Sequence, residues 1–377
     1  MRRTTTSPRP GWQARVQELG LVWHSGEQPY WDERAAYVFS AAEIATLERA
    51  GAELYRLYLE AGQAVIDRGW LDRLHVPAHA HDAVRRSWEA EPPALNFGRF
   101  DLGWTGAGEP KLFEFNADTP TSLLEAAVIQ WDWKEAVAPA SDQYNGIHDA
   151  LVARWREITP RADAVLHIAH APNPSGEDEV TAAYIADTAR EAGLVPVTLT
   201  MEDIGWDSAG RRFVDLEGRA IDACFKLYPW EWMIGEAFAP QLLDPASQTV
   251  WIEPAWKLMF SNKAMLAILW ELNPGHPNLL EASFDPLGMR DQVRKPVFGR
   301  EGANVSIARG GQVAETAAGP YDGPCVYQAL YELPGHGDER PVLGLWSVDG
   351  APVGLGIRED GAITGDRARF VPHLIEG

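Results

Sequence analysis

LNFGRFDLGWTGAGEPKLFEFNADTPT, residues 95–121, carries the arrangement on which the fold turns. Two runs of alternating polar and apolar residues flank a glycine-rich turn, the pattern of a β-hairpin. In the second run Glu114 and Asn116 stand two apart and share a face, while Phe113 and Phe115 point the other way. Arg99 and Asp101 are spaced likewise in the first run. Closure around residues 106–109 without a bulge sets Asp101 opposite Glu114, and Arg99 opposite Asn116. Two opposed carboxylates repel, so the pairing calls for a cation or a shared proton. The oxygens of Asp101, Glu114 and Asn116 suit Mg²⁺ bridging nucleotide phosphates. Taken alone, the hairpin supports equally a metal site and a solvated face on which Arg99 neutralises one acid, and a one-residue slip breaks the geometry.

Outward from this hairpin the pattern changes twice. Before it, residues 41–69 have apolar residues at three- and four-residue spacing and a closing glycine, which predicts a helix. After it, residues 122–138 return to helical spacing, with Ser122 and Glu125 placed for a capping box. From about residue 150 a helix leads to strand 164–172, helix 179–192, strand 194–200 and strand 220–228, the order of a small parallel α/β unit. The last third mixes a helix (262–272) with the strands QVRKPVFG, PCVYQALYEL, RPVLGLWSVDG and APVGLGIRED, expected to form one mostly antiparallel sheet.

Three lysines have positions that ask for an anion. Lys226 ends a buried strand in ACFKLYPWEW, where a lysine is costly without an anionic partner. Lys263 falls in the first turn of a helix capped by Ser261 or Asn262, where a cation opposes the helix dipole unless a phosphate is shared with the backbone N–H groups. Lys295 precedes PVFG and by itself reads as a surface lysine. In GREGANV (299–305), Gly299 and Gly302 let backbone N–H groups approach phosphates, although such glycines more often mark a tight turn. Gln328 and Glu332 in YQALYEL suit a purine and its sugar, or a structural role. Arg358 in GLGIRED suits charge developing during phosphoryl transfer, or a strand-end ion pair with Glu359 or Asp360.

Composition narrows the partners. The formal charge of −21 argues against general affinity for nucleic acid or an anionic membrane, and is compatible with a cationic substrate such as a polyamine or with solubility alone. Most of the 16 tryptophans are expected to fill core volume. MRRTTTSPRPGW has no apolar run, so neither a secretory signal nor a membrane span is expected at the start. Cys224 and Cys325, both in apolar strand-like runs, read as buried thiols in a reducing cytoplasm.

In order along nearly the whole chain, RFD (99–101), FEFNAD (113–118), FKLYPWEW (225–232), WKLMFSNKAMLAILW (256–270), KPVFGREGANV (295–305), YQALYELP (327–334) and GIRED (356–360) resemble the glutathionylspermidine synthase family. The resemblance is to its synthetase domain, and most closely to stand-alone bacterial relatives without the amidase. It implies an α+β, ATP-grasp fold: residues 1–149 with the metal-binding hairpin, an inserted pre-ATP-grasp α/β unit over 150–225, and an ATP-binding part over 226–377. It further implies an ATP- and Mg²⁺-dependent ligase that joins a carboxylate to an amine through an acyl-phosphate.

Residue by residue, the resemblance makes Asp101, Glu114 and Asn116 the Mg²⁺ ligands and brings Arg99 to the phosphates or the intermediate. Lys226 and Lys263 would hold ATP; Lys295, Gly299, Gly302 and Asn304 would lie near the phosphates, in a mobile cover. Gln328 and Glu332 would meet the adenosine, and Arg358 would steady the transferring phosphoryl group. Thr119, Thr121 and Ser122 would offer hydroxyls at a helix N-terminus to a substrate carboxylate. The partners implied are a peptide or glutathione-like acid and an amine such as a polyamine. Without an amidase portion, no product-hydrolysing cysteine is expected. Two other functions share these features: a binding protein for nucleotide or polyamine that has lost the reaction, and a phosphotransferase.

Overall fold

The computed structural model describes residues 1–26, 29–159, 161, 163–286, 288–366 and 368–376. Gly98–Gly103 runs antiparallel to Lys111–Asn116, with Asp101 opposite Glu114 and Arg99 opposite Asn116. One condition of the expected register fails: the pairing shifts between Asp101 and Leu102, which faces Leu112, so Phe113 is an extra, bulged residue. The hairpin completes a five-stranded antiparallel sheet with Arg340–Val348, Ala351–Asp360 and Arg369–Phe370.

Alternation divides this sheet into two chemically distinct faces. Phe100, Leu102, Phe115, Leu343, Leu345, Leu355 and Ile357 are buried in the core that also holds the apolar side of the helix Ala41–Arg68. Tyr58 of that helix meets the Phe115 ring edge-on at 5.1 Å. Burial of each such side chain is worth about 1.5–3 kcal/mol. The helix begins at a capping box between Ser40 and Glu43 and ends at Gly69 in the left-handed conformation. Arg99, Asp101, Glu114, Asn116 and Arg358 share the other face.

The strands of the last third do not join one sheet. Gln292–Pro296 and Cys325–Ala329 belong to a second antiparallel sheet with Ala282–Ser283, Ser306–Arg309 and Gln312–Thr316. The two sheets meet along the edge of the hairpin. There Gln328 Nε2 donates to the Leu112 carbonyl at 2.9 Å and Lys295 Nζ donates to the Phe113 carbonyl at 2.9 Å.

The parallel unit forms as expected, in the order Val250–Ile252, Ala223–Leu227, Val165–His170 and Val195–Thr200, with the helix Glu177–Glu191 as crossover. Its sheet runs past residue 225, since Ala223–Leu227 is a central strand and Val250–Ile252 an edge. Arg2–Thr5, Ala35–Ser40 and His373–Glu376 form a three-stranded sheet that ties the two ends of the chain together.

Three local expectations need correction. Ser122 lies at φ 65°, outside the conformation of a cap, and Glu125 turns instead to Tyr30 Oη (2.7 Å) and Trp23 Nε1 (3.2 Å). The segment opens as a π turn, Glu125–Ile129, before the α-helix Gln130–Val137. Lys263 precedes its helix, which starts at Met265, and Asn262 Oδ1 accepts the Ala264 N–H there. Cys224 is buried, its thiol pushed up to about 12 by desolvation, whereas Cys325 is partly exposed. Among the described residues no helix is long and apolar enough to cross a membrane.

Candidate active site

The polar face of the first sheet forms the floor of a pocket whose other wall is the second sheet. Asp101 sits at the centre of this floor. Arg99 grips its carboxylate with two bonds, Nε to Oδ1 at 2.6 Å and Nη2 to Oδ2 at 3.1 Å, and Arg358 Nη2 reaches Oδ2 at 2.7 Å. Arg99 Nη1 also donates to the Thr121 carbonyl at 2.5 Å, which anchors the turn after the hairpin. Gly344, opposite Asp101, makes room for this arrangement: a Cβ there would come within 2.8 Å of Arg99 Cδ. Burial drives the Asp101 carboxyl up, but the two guanidiniums prevail and hold it at about 2.

Glu114, across the strand, is an acid of different company. Its Oε2 lies 3.2 Å from Lys263 Nζ, which also donates to the Gly299 carbonyl at 2.6 Å. Burial pushes Glu114 up and the Lys263 ammonium outweighs it, leaving the carboxyl below its ordinary range. Asn116 Nδ2 stands 3.3 Å from both Asp101 Oδ2 and Glu114 Oε1, so the three side chains converge on one spot. Lys295 bridges the Phe113 carbonyl and Gln328 Oε1 (2.8 Å), and desolvation lowers its ammonium to about 8.

This set fits a hard divalent cation. It offers two ionised carboxylates and an amide that can present its oxygen by a half-turn of its terminal torsion. Among the described residues no three or more His, Cys, Asp or Glu side chains group as metal ligands, so such an ion would rely on this mixed set.

The rest of the pocket is mostly apolar. Phe113, Val293, Ile307, Leu330, Tyr331 and Ile363 line it together with the loop 299–303 and residues 362–364. Gly302 is needed where the loop crosses Thr364: its φ is 68°, and an added Cβ would stand 2.5 Å from the Thr364 carbonyl oxygen.

The family model described as glutathionylspermidine synthase preATP-grasp matches residues 3–376. The chain belongs to the glutathionylspermidine synthase family. It is 37% identical to a Haemophilus influenzae protein provisionally named an acid–amine ligase, covering 99% of each chain. It is 29% identical to trypanothione synthetase of Crithidia fasciculata over 83% of this chain and 52% of that one. With the bifunctional glutathionylspermidine synthetase/amidase of Escherichia coli it shares 28% identity over 85% of this chain and 55% of the relative. In fold it is similar to a glutathione synthetase-like effector of Globodera pallida in its apo form, with a TM-score of 0.59, 13% identity and 98% of both chains covered.

Twelve residues singled out on the family resemblance line the pocket: Arg99, Asp101, Glu114, Asn116, Thr119, Thr121, Lys263, Lys295, Gly299, Gly302, Gln328 and Arg358. Four others do not. Lys226 is fully buried, and its anionic partner is Asp118 rather than anything in the pocket. Glu332 is exposed and pairs with Arg309. Asn304 turns its Oδ1 to the Tyr321 N–H at 2.7 Å. Ser122 is buried 3.4 Å from Tyr30 Oη. Arg358 pairs with Asp101, while Glu359 faces away to Arg3 and Tyr37. Sequence reasoning missed Arg300, which lines the pocket from the glycine-rich loop; a cation between two glycines was the available signal.

Proposed function

We propose that this chain is an ATP- and Mg²⁺-dependent carboxylate–amine ligase of the ATP-grasp type that forms an amide through an acyl-phosphate. The reading rests on one observation above all: Asp101, Glu114 and Asn116 converge within reach of Lys263 on the floor of a pocket enclosed by two antiparallel sheets. The names of the relatives, an acid–amine ligase and two synthetases, support the same reaction class. We assign the core to residues 1–149 and 226–377, with an inserted unit over 150–225 whose sheet borrows the strands up to Ile252.

In this reading Asp101, Glu114 and Asn116 hold Mg²⁺, which when bound neutralises charge on the nucleotide phosphates. Lys263 and Lys295 attract the phosphates, and the apolar end of the pocket with Gln328 takes the adenine. The substrate carboxylate attacks the γ-phosphoryl group of ATP, giving an acyl-phosphate and ADP. The amine then displaces phosphate, giving the amide. Arg99 and Arg358 face the charge that develops, and Thr119 and Thr121 orient the acid. The loop 299–305 excludes water. A peptide acid of the glutathione type and a polyamine are the proposed substrates, and the charge of −21 suits a cationic amine.

The test pairs thiol peptides with diverse amines under Mg²⁺·ATP, following ADP and the mass of the product. Asp101→Ala and Lys263→Ala are expected to stay folded and lose turnover by about 10²–10³-fold. Full turnover in both variants would refute the assignment, and a phosphorylated product in place of an amide would make the chain a phosphotransferase.

A further inference from the structure

Arg300 is the one cation of the loop 299–305, and the body of the protein holds its guanidinium from two sides. Nη1 donates to Thr119 Oγ1 at 3.1 Å and Nη2 to Glu231 Oε1 at 2.5 Å, with the Trp232 ring 5.3 Å away. Glu231 itself stands on a fixed post. It belongs to the short helix Trp230–Met233, whose first N–H is bound by Asp118 Oδ2 at 2.9 Å, and Asp118 is buried against Lys226. Within the loop, Ala303 N–H donates to the Arg300 carbonyl at 2.9 Å and Val305 N–H to the Gly302 carbonyl at 3.1 Å, local turns in which Glu301 and Asn304 sit at φ 52° and 57°. Both partners of the Arg300–Glu231 pair are largely shielded, 29% and 14% exposed, so screening weakens it less than an ion pair in open solvent.

From these contacts we infer that Glu231 is a positioning residue: it fixes Arg300 beside Thr119 and keeps the glycine-rich loop closed over the pocket. The inference rests on the ligase reading only for the consequence in turnover. Loop closure is a property of the chain by itself. Asp118 and Lys226 act one step further back, by setting the helix that carries Glu231.

Endoprotease Glu-C cleaves after glutamate, and the fragment released by its cut between Glu301 and Gly302, resolved by mass from cuts elsewhere such as after Glu231, reports loop opening. Glu231→Gln and Arg300→Gln are each expected to speed that cut about tenfold, the worth of one hydrogen bond to a charged group. The double variant should add nothing further, and urea midpoints should stay at the wild-type value. In turnover with glutathione, spermidine and Mg²⁺·ATP, Glu231→Gln should lower kcat while KM for ATP stays within about twofold, because nucleotide seats on the floor and the roof completes the site. Cleavage of Glu231→Gln at the wild-type rate would overturn the inference, as would single effects that multiply in the double variant. A rise in KM with unchanged kcat would also overturn it. A wild-type protein inactive with every acid–amine pair would count against the ligase reading, while the cleavage cycle still decides on Glu231.

Discussion

Replacing Lys226 with methionine keeps most of the aliphatic stem and removes an ammonium that the family resemblance assigned to ATP. Lys226 and Asp118 are each almost wholly buried, and Asp118 also accepts the Trp230 N–H. Without the lysine, a carboxylate is left in the core near a second one, Glu253, at a cost of about 3–5 kcal/mol. For 377 residues, an unfolding entropy of about 2.1 cal/mol/K per residue gives roughly 0.8 kcal/mol/K, so Tm should fall by about 4–6 °C. Adding Asp118→Asn removes the stranded charge and keeps the shape, and should recover stability to within about 1 kcal/mol of wild type. Nucleotide affinity measures the other half. Titration calorimetry with Mg²⁺·AMP-PNP should give Lys226→Met an affinity within about twofold of wild type, with Lys263→Met at least tenfold weaker, the loss of one charged contact. A Lys226→Met protein with unchanged Tm and lost nucleotide affinity would refute the placement and restore the phosphate role.

Two further predictions concern the wall and roof of the pocket. Burial lowers the Lys295 ammonium to about 8, so its charge fades as pH rises through that value; affinity for Mg²⁺·AMP-PNP should weaken between pH 7 and 9, and Lys295→Arg should flatten the profile. The folding linkage has the opposite sign, because the unfolded chain binds this proton more tightly and stability gains as pH climbs from 8 toward 10. A profile identical in both proteins would remove Lys295 from the phosphate site. Gly302→Ala forces a Cβ into the Thr364 carbonyl at positive φ, and should cost about 1–2 kcal/mol and speed cleavage after Glu301, read by urea unfolding and by Glu-C; a variant as stable and as resistant as wild type would show that the roof does not rest there.

Elements set by local periodicity were legible in the sequence. The helix Ala41–Arg68 and the crossover Glu177–Glu191 declare themselves by apolar spacing, and the hairpin by alternation. Twelve of the residues singled out converge on the pocket, and alternation on the two hairpin strands had already put four of them, Arg99, Asp101, Glu114 and Asn116, on one face. What escaped was long-range. Lys226 needed an anion, and the burial argument was right in that respect, but the anion comes from residue 118 across the core, a partner no local pattern names. The apparent capping box at Ser122 fails because Tyr30 and Trp23, from a distant segment, claim Glu125. The strands of the last third split between two sheets because Gln292–Pro296 and Cys325–Ala329 pair with each other while Arg340–Val348 pairs with the hairpin, a choice that alternation cannot make.

The bulge at Phe113 has the largest consequence of these departures. In a regular edge strand the outward-facing carbonyls belong to every second residue, so two neighbours cannot both offer theirs to the same partner. With Phe113 inserted, the carbonyls of Leu112 and Phe113 both face the second sheet, where Gln328 and Lys295 take them at 2.9 Å each. Gln328 Oε1 in turn accepts from Lys295, so amide, ammonium and strand edge form one closed set. The bulge thus satisfies an edge that would otherwise be open to pairing, and it fixes the angle between floor and wall of the pocket at the point where Lys295 enters. Because the shift falls between Asp101 and Leu102, the opposition of Asp101 to Glu114 survives on one side of it, while on the other the chain is free to join the second sheet.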